Sequence, residues 1–169
     1  MRRARAAAGS LLFLVVAPGV VAGLVPWWLT GWHAREPLPH WLFFRVAGGL
    51  VLVGGVAVLV AAFARFVVEG AGTPAPVAPT ERLVVGGLYR YVRNPMYLAV
   101  AATIVGQALV LGQLTLLLYA GVFLAVVAAF VRGYEEPTLT RTYGEQYERY
   151  RRTVPGWWPR RPPPDGSAG

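Results

Sequence analysis

The sequence predicts an all-α, polytopic membrane protein with about four transmembrane helices, and three observations carry that prediction. First, 56% of its 169 residues are hydrophobic and only 14% are charged, which is too apolar for an ordinary soluble domain. Second, apolar runs with helix-sized lengths occur at Leu11–Leu29, Trp41–Val68, Pro95–Leu111 and Leu114–Val131. Third, the arginines lie almost entirely on one side of these runs, which indicates cytoplasmic N and C termini.

The first two runs form a predicted N-terminal membrane segment, residues 1–69. Leu11–Leu29 spans roughly 28 Å as a helix, close to one hydrocarbon core. A signal peptide is the alternative, but no clear Ala-x-Ala site follows, which favours a retained helix. Close packing between helices is predicted at glycines of both runs, which are Gly19, Gly23, Gly48, Gly49, Gly54 and Gly55.

The last two runs form a predicted helical hairpin, because Gly112-Gln113 leaves almost no chain between them. Gly121 and Ala125 supply small residues for packing in the second helix of the hairpin. A Pro-rich linker at residues 70–80 separates the N-terminal segment from a C-terminal half, residues 81–160, and a disordered tail follows at 161–169.

The arginine distribution fixes the predicted orientation. Only Arg35 and Arg45 lie on the outer side of the four runs. The others precede the first helix, lie between the second and third, or follow the fourth, at Arg2, Arg3, Arg5, Arg65, Arg82, Arg90, Arg93 and from Arg132 onward. The positive-inside rule therefore favours cytoplasmic termini.

A cytoplasmic amphipathic helix is predicted at Arg132–Arg152, with an early break at Pro137. Pro155–Pro159 contains Trp157 and Trp158, which are typical of a return to the bilayer surface. One face of the helix is predicted to carry Leu139, Tyr143, Tyr147 and Tyr150, a stripe more typical of packing than of ligand binding.

Several kinds of site are excluded by composition. The chain has no cysteine, so it has neither disulfides nor thiolate metal sites. His33 and His40 lack an accompanying carboxylate cluster, so no metal site is predicted there. The net charge of +8 favours a membrane surface rather than nucleic acid, given the apolar runs.

The polar stretch Gly86–Tyr97 runs directly into the third apolar segment. Asn94 and Pro95 are typical of an N-cap and a first helical residue. A helix N-terminus with Arg90 and Arg93 beside it suits an anion. The alternative is an ordinary basic cluster that holds anionic lipid.

A second polar group, Arg132 with Glu135 and Glu136, follows the fourth apolar run. Carboxylates at a helix C-terminus are unfavourable, which suggests a function. The alternative is solvated side chains, or an ion pair between Arg132 and Glu136 one helical turn apart. Both groups are predicted to lie on the cytoplasmic side, where they can converge.

Together these motifs resemble the isoprenylcysteine carboxyl methyltransferase family, which is grouped with membrane phospholipid N-methyltransferases. The resemblance rests on Gly87–Tyr97, the hairpin, Glu135-Glu136 and Tyr143–Tyr150, and it covers about residues 80 to 159. It implies an integral-membrane methyltransferase that uses S-adenosylmethionine, bound in a cytoplasmic pocket of the C-terminal half.

The resemblance also implies roles for individual residues. Glu135 or Glu136 would bind the cofactor from one side, and Arg132 lies nearest the substrate-facing arginine of the family. Arg93 is the second candidate catalytic residue. The other implied cofactor-binding residues are Leu83, Val84, Tyr89, Asn94, Pro95, Met96 and Tyr97.

Asn94 departs from the family, which often has histidine at that position. Asparagine cannot act as a base near neutral pH, so a carboxylate acceptor, which needs no base, is favoured over a phospholipid or other amine. The expected partners are membrane lipids and a lipophilic or lipid-linked substrate, and the arginine and alanine bias indicates a bacterial inner membrane. An NADPH-dependent membrane reductase and a non-catalytic scaffold are the remaining alternatives.

Overall fold

The computed structural model describes residues 16–70 and 82–161, and every regular element in these ranges is helical. The all-α prediction is confirmed for this part of the chain. Arg2, Arg3, Arg5, the start of the predicted first helix, most of the linker and the end of the tail lie outside the described residues. The helices are α1 (Val16–Thr30), α2 (Leu42–Gly70), α3 (Pro95–Leu111), α4 (Thr115–Phe130), α5 (Glu136–Tyr143) and α6 (Glu145–Thr153).

Three short elements complete the described chain. A 3-10 turn at Gly87–Arg90 precedes α3. One π turn, Val20–Leu24, lies within α1, and a second, Val131–Glu135, joins α4 to α5 without a break. The break that the sequence placed at Pro137 is wrong: the helix continues through Pro137 after the π turn, and the chain turns at Gly144, with φ 53°.

Two helical segments are long and apolar enough to cross a membrane, Leu42–Arg65 and Thr115–Tyr143. Only 28% and 22% of their apolar windows are buried, so most of this apolar surface faces outward. Leu50, Val53 and Leu118 are each at least 70% exposed, which suits lipid rather than water. Val16–Thr30 and Pro95–Leu111 are apolar but shorter, and the four-span count therefore stays a prediction.

Close packing of α2 on α3 depends on glycines. A Cβ at Gly55 would lie 2.9 Å from the Thr103 backbone nitrogen, and one at Gly48 would lie 2.5 Å from the Leu109 Cβ. Gly106 makes the reciprocal approach to Leu52. Contact is absent at the other predicted packing glycines, because a Cβ would meet no described atom within 4 Å at Gly19, Gly23, Gly49, Gly54 or Gly121.

Gly55→Leu is expected to destabilise the protein by about 2 kcal/mol or more, because the new side chain would force α2 away from α3. Gly54→Leu makes the same substitution at the adjacent residue, where the new side chain would point into open space. We therefore expect it to leave the stability nearly unchanged. Thermal unfolding in detergent measures both. Equal losses of Tm would contradict glycine-dependent packing.

The helix α1 is docked through two of its own backbone carbonyls. Pro26 has no N–H, so the Ala22 carbonyl loses its usual α-helical partner, and Gln107 Nε2 donates to it at 2.6 Å. The π turn directs the Val25 N–H to Val20, which frees the Val21 carbonyl. Tyr119 Oη donates to that carbonyl at 2.8 Å.

Gln107→Leu and Tyr119→Phe should each lower stability by about 1 kcal/mol, since each leaves a carbonyl without a partner in an apolar setting. Tyr134→Phe removes a hydroxyl from a half-exposed tyrosine and serves as the control. A chemical denaturation series in detergent compares the three. If Tyr134→Phe lowered the stability as much as Tyr119→Phe, the proposed role of these hydrogen bonds in docking α1 would be contradicted.

The loops fix both ends of the α2–α3 pair. At one end, the last turn of α3 is capped by Trp41 Nε1, which donates to Leu109 at 2.8 Å, and by the Arg35 N–H, which donates to Leu111 at 2.7 Å. At the other end, Glu69 accepts the Gly86 N–H at 3.0 Å and pairs with Arg65 at 3.0 Å. This second contact holds the Gly86–Tyr97 stretch beside the end of α2.

Candidate active site

Two cavities lie where the Gly86–Tyr97 stretch meets the helices. The larger cavity, about 190 Å³, has a mainly apolar wall from α1 to α4. The smaller cavity, about 80 Å³, is bounded by Leu83, Val84, the π turn after α4 and the C-terminal helices. Four side chains line both cavities and form their shared boundary: Tyr89, Arg93, Asn94 and Glu135.

Asn94 and Pro95 begin α3 as the sequence predicts, as N-cap and first helical residue. The Asn94 side chain does not cap the helix, because its amide donates instead to the Gly156 carbonyl at 3.0 Å. The backbone N–H groups of the first turn have no intrahelical acceptor, and Asn94 leaves them uncapped. This end of α3 therefore keeps its capacity to attract an anion.

Arg93 is the most connected side chain of the boundary. Its Nη1 lies 2.7 Å from Glu136 Oε1 and 3.0 Å from the Tyr147 hydroxyl, and its Nε donates to the Val154 carbonyl at 3.0 Å. Arg93 and Glu136 are only 14% and 18% exposed, so solvent screens this ion pair weakly. The guanidinium thus joins the start of α3 to α5 and α6.

The neighbouring residues Glu135 and Glu136 have different partners. Glu136 pairs with Arg93 rather than with Arg132. Glu135 accepts a hydrogen bond from Tyr97 Oη at 3.0 Å and lines both cavities. For Glu136, the unfavourable placement inferred from the sequence is therefore relieved by the ion pair with Arg93.

The predicted cofactor-binding residues divide between the cavities. Leu83, Val84 and Glu136 line the smaller one, and Pro95, Met96 and Tyr97 line the larger one. Arg132 is exposed and lines neither cavity. The structure therefore assembles ten of the predicted site residues around the cavities and leaves Arg132 outside.

The C-terminal segment 154–160 packs against the Gly86–Tyr97 stretch, a contact that the sequence did not predict. The Arg93 N–H donates to Pro155 at 2.9 Å, and the Arg160 N–H donates to Tyr91 at 3.0 Å. Trp157 stacks on Tyr97, with ring centroids 6.4 Å apart. Trp158, by contrast, is 83% exposed, and the return of this segment to the bilayer surface stays a prediction.

Aromatic residues of α6 complete the smaller cavity. Tyr147 and Tyr150 line it with Leu139, and Tyr150 Oη donates to the Tyr89 carbonyl at 2.7 Å. Burial raises the pKa of the Tyr89, Tyr147 and Tyr150 phenols. These hydroxyls therefore stay protonated at neutral pH and act as hydrogen-bonding groups. For Tyr147 and Tyr150, the aromatic stripe in the sequence was the pattern that could have indicated a place in the site.

Comparison with known proteins adds a family to this geometry. A family model described as phospholipid methyltransferase matches residues 43–146, a range that contains α2 from its second residue, α3 to α5, the Gly86–Tyr97 stretch and both carboxylates. Neither the curated proteins nor the solved structures contain a match to the chain. The match covers more than half of the sequence, and the chain is therefore a membrane protein that belongs to the phospholipid methyltransferase family.

Proposed function

We propose that this protein is an S-adenosylmethionine-dependent methyltransferase that methylates a lipophilic acceptor within the membrane. One observation carries the proposal: Tyr89, Arg93, Asn94 and Glu135 form the boundary between a smaller cavity that also holds the Glu136 carboxylate and a larger cavity whose walls are mainly apolar. Such an arrangement suits a water-soluble donor on one side and a lipid-soluble acceptor on the other. The family assignment supports methyl transfer as the reaction.

The residues of the smaller cavity fit the chemistry of the donor. The carboxylate of Glu135 suits an amino group or ribose hydroxyls, and the uncapped start of α3 suits a carboxylate. Leu83, Val84 and Leu139 offer apolar contacts for a base. When bound there, S-adenosylmethionine would supply an electrophilic methyl group on a positively charged sulfur.

The larger cavity suits the acceptor. Leu59, Phe63, Val100 and Phe123 provide apolar surface, and Glu135 and Tyr97 provide its polar end. Neither cavity alone reaches the roughly 300 Å³ of small ligand pockets, so binding of donor and acceptor would require both cavities to widen. The acceptor's reacting atom would then lie at the shared boundary.

An amine acceptor is favoured by the charges at the boundary. Arg93 is engaged by Glu136, and Arg132 lies outside the cavities, so no predicted arginine is left to orient a substrate carboxylate. Glu135 would attract an amine and repel a carboxylate. The same carboxylate could accept the proton that a methylated amine must release.

Carboxylate O-methylation, the acceptor chemistry favoured by the sequence, is the second candidate. Arg93 is the observation that supports it, because its guanidinium lines both cavities and could orient a carboxylate if Glu136 released it. In both cases the chain contributes alignment and exclusion of water rather than a covalent intermediate.

The proposed topology places four helices across a bacterial inner membrane, with the site and both termini on the cytoplasmic side. The arginine distribution supports this orientation. The exposed apolar surfaces of α2 and α4 support membrane insertion.

Calorimetry with detergent-purified protein tests the proposal most directly. We expect S-adenosylmethionine to bind and the nicotinamide cofactor NADPH not to bind. Transfer of a radiolabelled methyl group to lipid amines and lipid acids would then identify the acceptor class. A folded protein that bound NADPH but not S-adenosylmethionine would overturn the proposal in favour of a reductase, and one that bound neither would favour a scaffold.

A further inference from the structure

The larger cavity has one wall that the family match does not include. Ala17, Pro18 and Val21 of α1 line this cavity, and α1 lies entirely before the matched residues 43–146. The smaller cavity, by contrast, has no lining residue from α1. Changes in α1 can therefore alter one cavity without direct contact with the other.

The walls of the larger cavity that come from α2 and α3 tolerate fewer changes of side chain. Leu59 and Val100 are 9% and 6% exposed and belong to the main apolar core with Ile104. A change of volume at such positions disturbs the packing of α2 on α3. Ala17 and Val21 are only partly buried, and Val21 packs against the edge of this core rather than within it, so their side chains carry less of the fold.

The docking of α1 does not depend on which side chains line the cavity. Gln107 and Tyr119 hold α1 through the carbonyls of Ala22 and Val21, and every residue type presents such a carbonyl. The side chain of residue 21 can therefore change while its backbone stays anchored at 2.8 Å from Tyr119 Oη.

We propose that α1 is the specificity-determining wall of the acceptor cavity, and that Val21, together with Ala17, sets how bulky the apolar group next to the reacting atom can be. This inference rests on the proposed function, since it assigns the acceptor to the larger cavity. Smaller residues at position 21 admit branched lipophiles, and larger ones restrict the cavity to unbranched chains. Affinity for the methyl donor does not depend on position 21.

The test compares Val21→Phe, Val21→Ala and the control Leu24→Phe. Leu24 lies in the same π turn, is 54% exposed and lines neither cavity. The probes are hexadecylamine and its branched analogue phytanylamine, with palmitic and phytanic acids as the corresponding carboxylates. Probe affinity and S-adenosylmethionine affinity are measured by calorimetry, and kcat/KM is measured for each probe that is methylated.

We expect Val21→Phe to lower the preference for the branched probe over the straight one by about tenfold, as a few misplaced methyl groups do in an apolar pocket. Val21→Ala should raise that preference, and Leu24→Phe should leave it unchanged. Affinity for S-adenosylmethionine and Tm should stay at the wild-type values in all three variants.

The inference is overturned if Val21→Phe and Leu24→Phe change the preference equally, or if neither changes it, while the wild-type protein binds S-adenosylmethionine and methylates a probe. That outcome leaves the proposed function standing. Wild-type protein that binds the donor but no probe overturns the assignment of the larger cavity, and the inference with it. Loss of donor binding in Val21→Phe with an unchanged Tm also overturns it.

Discussion

Glu135→Gln is expected to lower affinity for S-adenosylmethionine and kcat/KM by about 100-fold, whereas Glu136→Gln should act mainly on stability. Glu135 lines both cavities, and its hydrogen bond from Tyr97 leaves carboxylate capacity for a ligand. A charged hydrogen bond to a ligand in a water-poor site is worth about 3 kcal/mol, which corresponds to the predicted loss. Glu136 is already engaged by Arg93 at 2.7 Å.

The two neighbouring carboxylates therefore provide a matched comparison. Calorimetric donor affinity and Tm would be measured for Glu135→Gln, Glu136→Gln and Glu145→Gln, the last at an exposed position at the start of α6. Donor affinity that fell with Glu136→Gln and stayed intact with Glu135→Gln would reverse the assignment of the two residues.

Arg93→Ala is expected to destabilise the protein by about 3 kcal/mol and to abolish methyl transfer. The change removes bonds to Glu136, Tyr147 and Val154 at once. It also leaves Glu136, only 18% exposed, without its cationic partner, and an uncompensated carboxylate of this kind is costly. The segment 154–160 would lose one of its attachments to the motif.

A double-mutant cycle separates the ion pair from the rest of the network. We expect Arg93→Ala with Glu136→Ala to be more stable than the single Arg93→Ala variant, because no orphaned carboxylate remains. Arg93→Lys keeps the charge but cannot reproduce the planar fork, so it should recover only part of the stability. If the double and single arginine variants had equal Tm, the ion pair would not account for the loss.

The sequence predicted the elements of this fold better than their contacts. Apolar runs and the Asn94-Pro95 helix start are local signals, and the structure confirms the helices that they predict within the described residues. The family could also be recognised from the sequence, because its motifs are contiguous stretches that keep their order along the chain. The candidate cavity residues followed from the resemblance rather than from the residues alone.

Contacts between distant residues could not be read from local patterns. Arg93 and Glu136 are 43 positions apart, and charge alone gave Arg132 as an equally reasonable partner for Glu136. The π turns could not be predicted from the sequence either, since they shift backbone hydrogen bonds without changing the apolar periodicity that predicts a helix. Segment 154–160 was interpreted from its tryptophans, although its backbone carbonyls form its bonds to Arg93 and Asn94.

The bond between Glu69 and Gly86 has a consequence for how the chain can be modified. Because the Glu69 carboxylate holds the Gly86 N–H at 3.0 Å, the residues between them begin and end at a fixed junction. A substitution at Glu69 would therefore act on the position of the Gly86–Tyr97 stretch from outside both cavities.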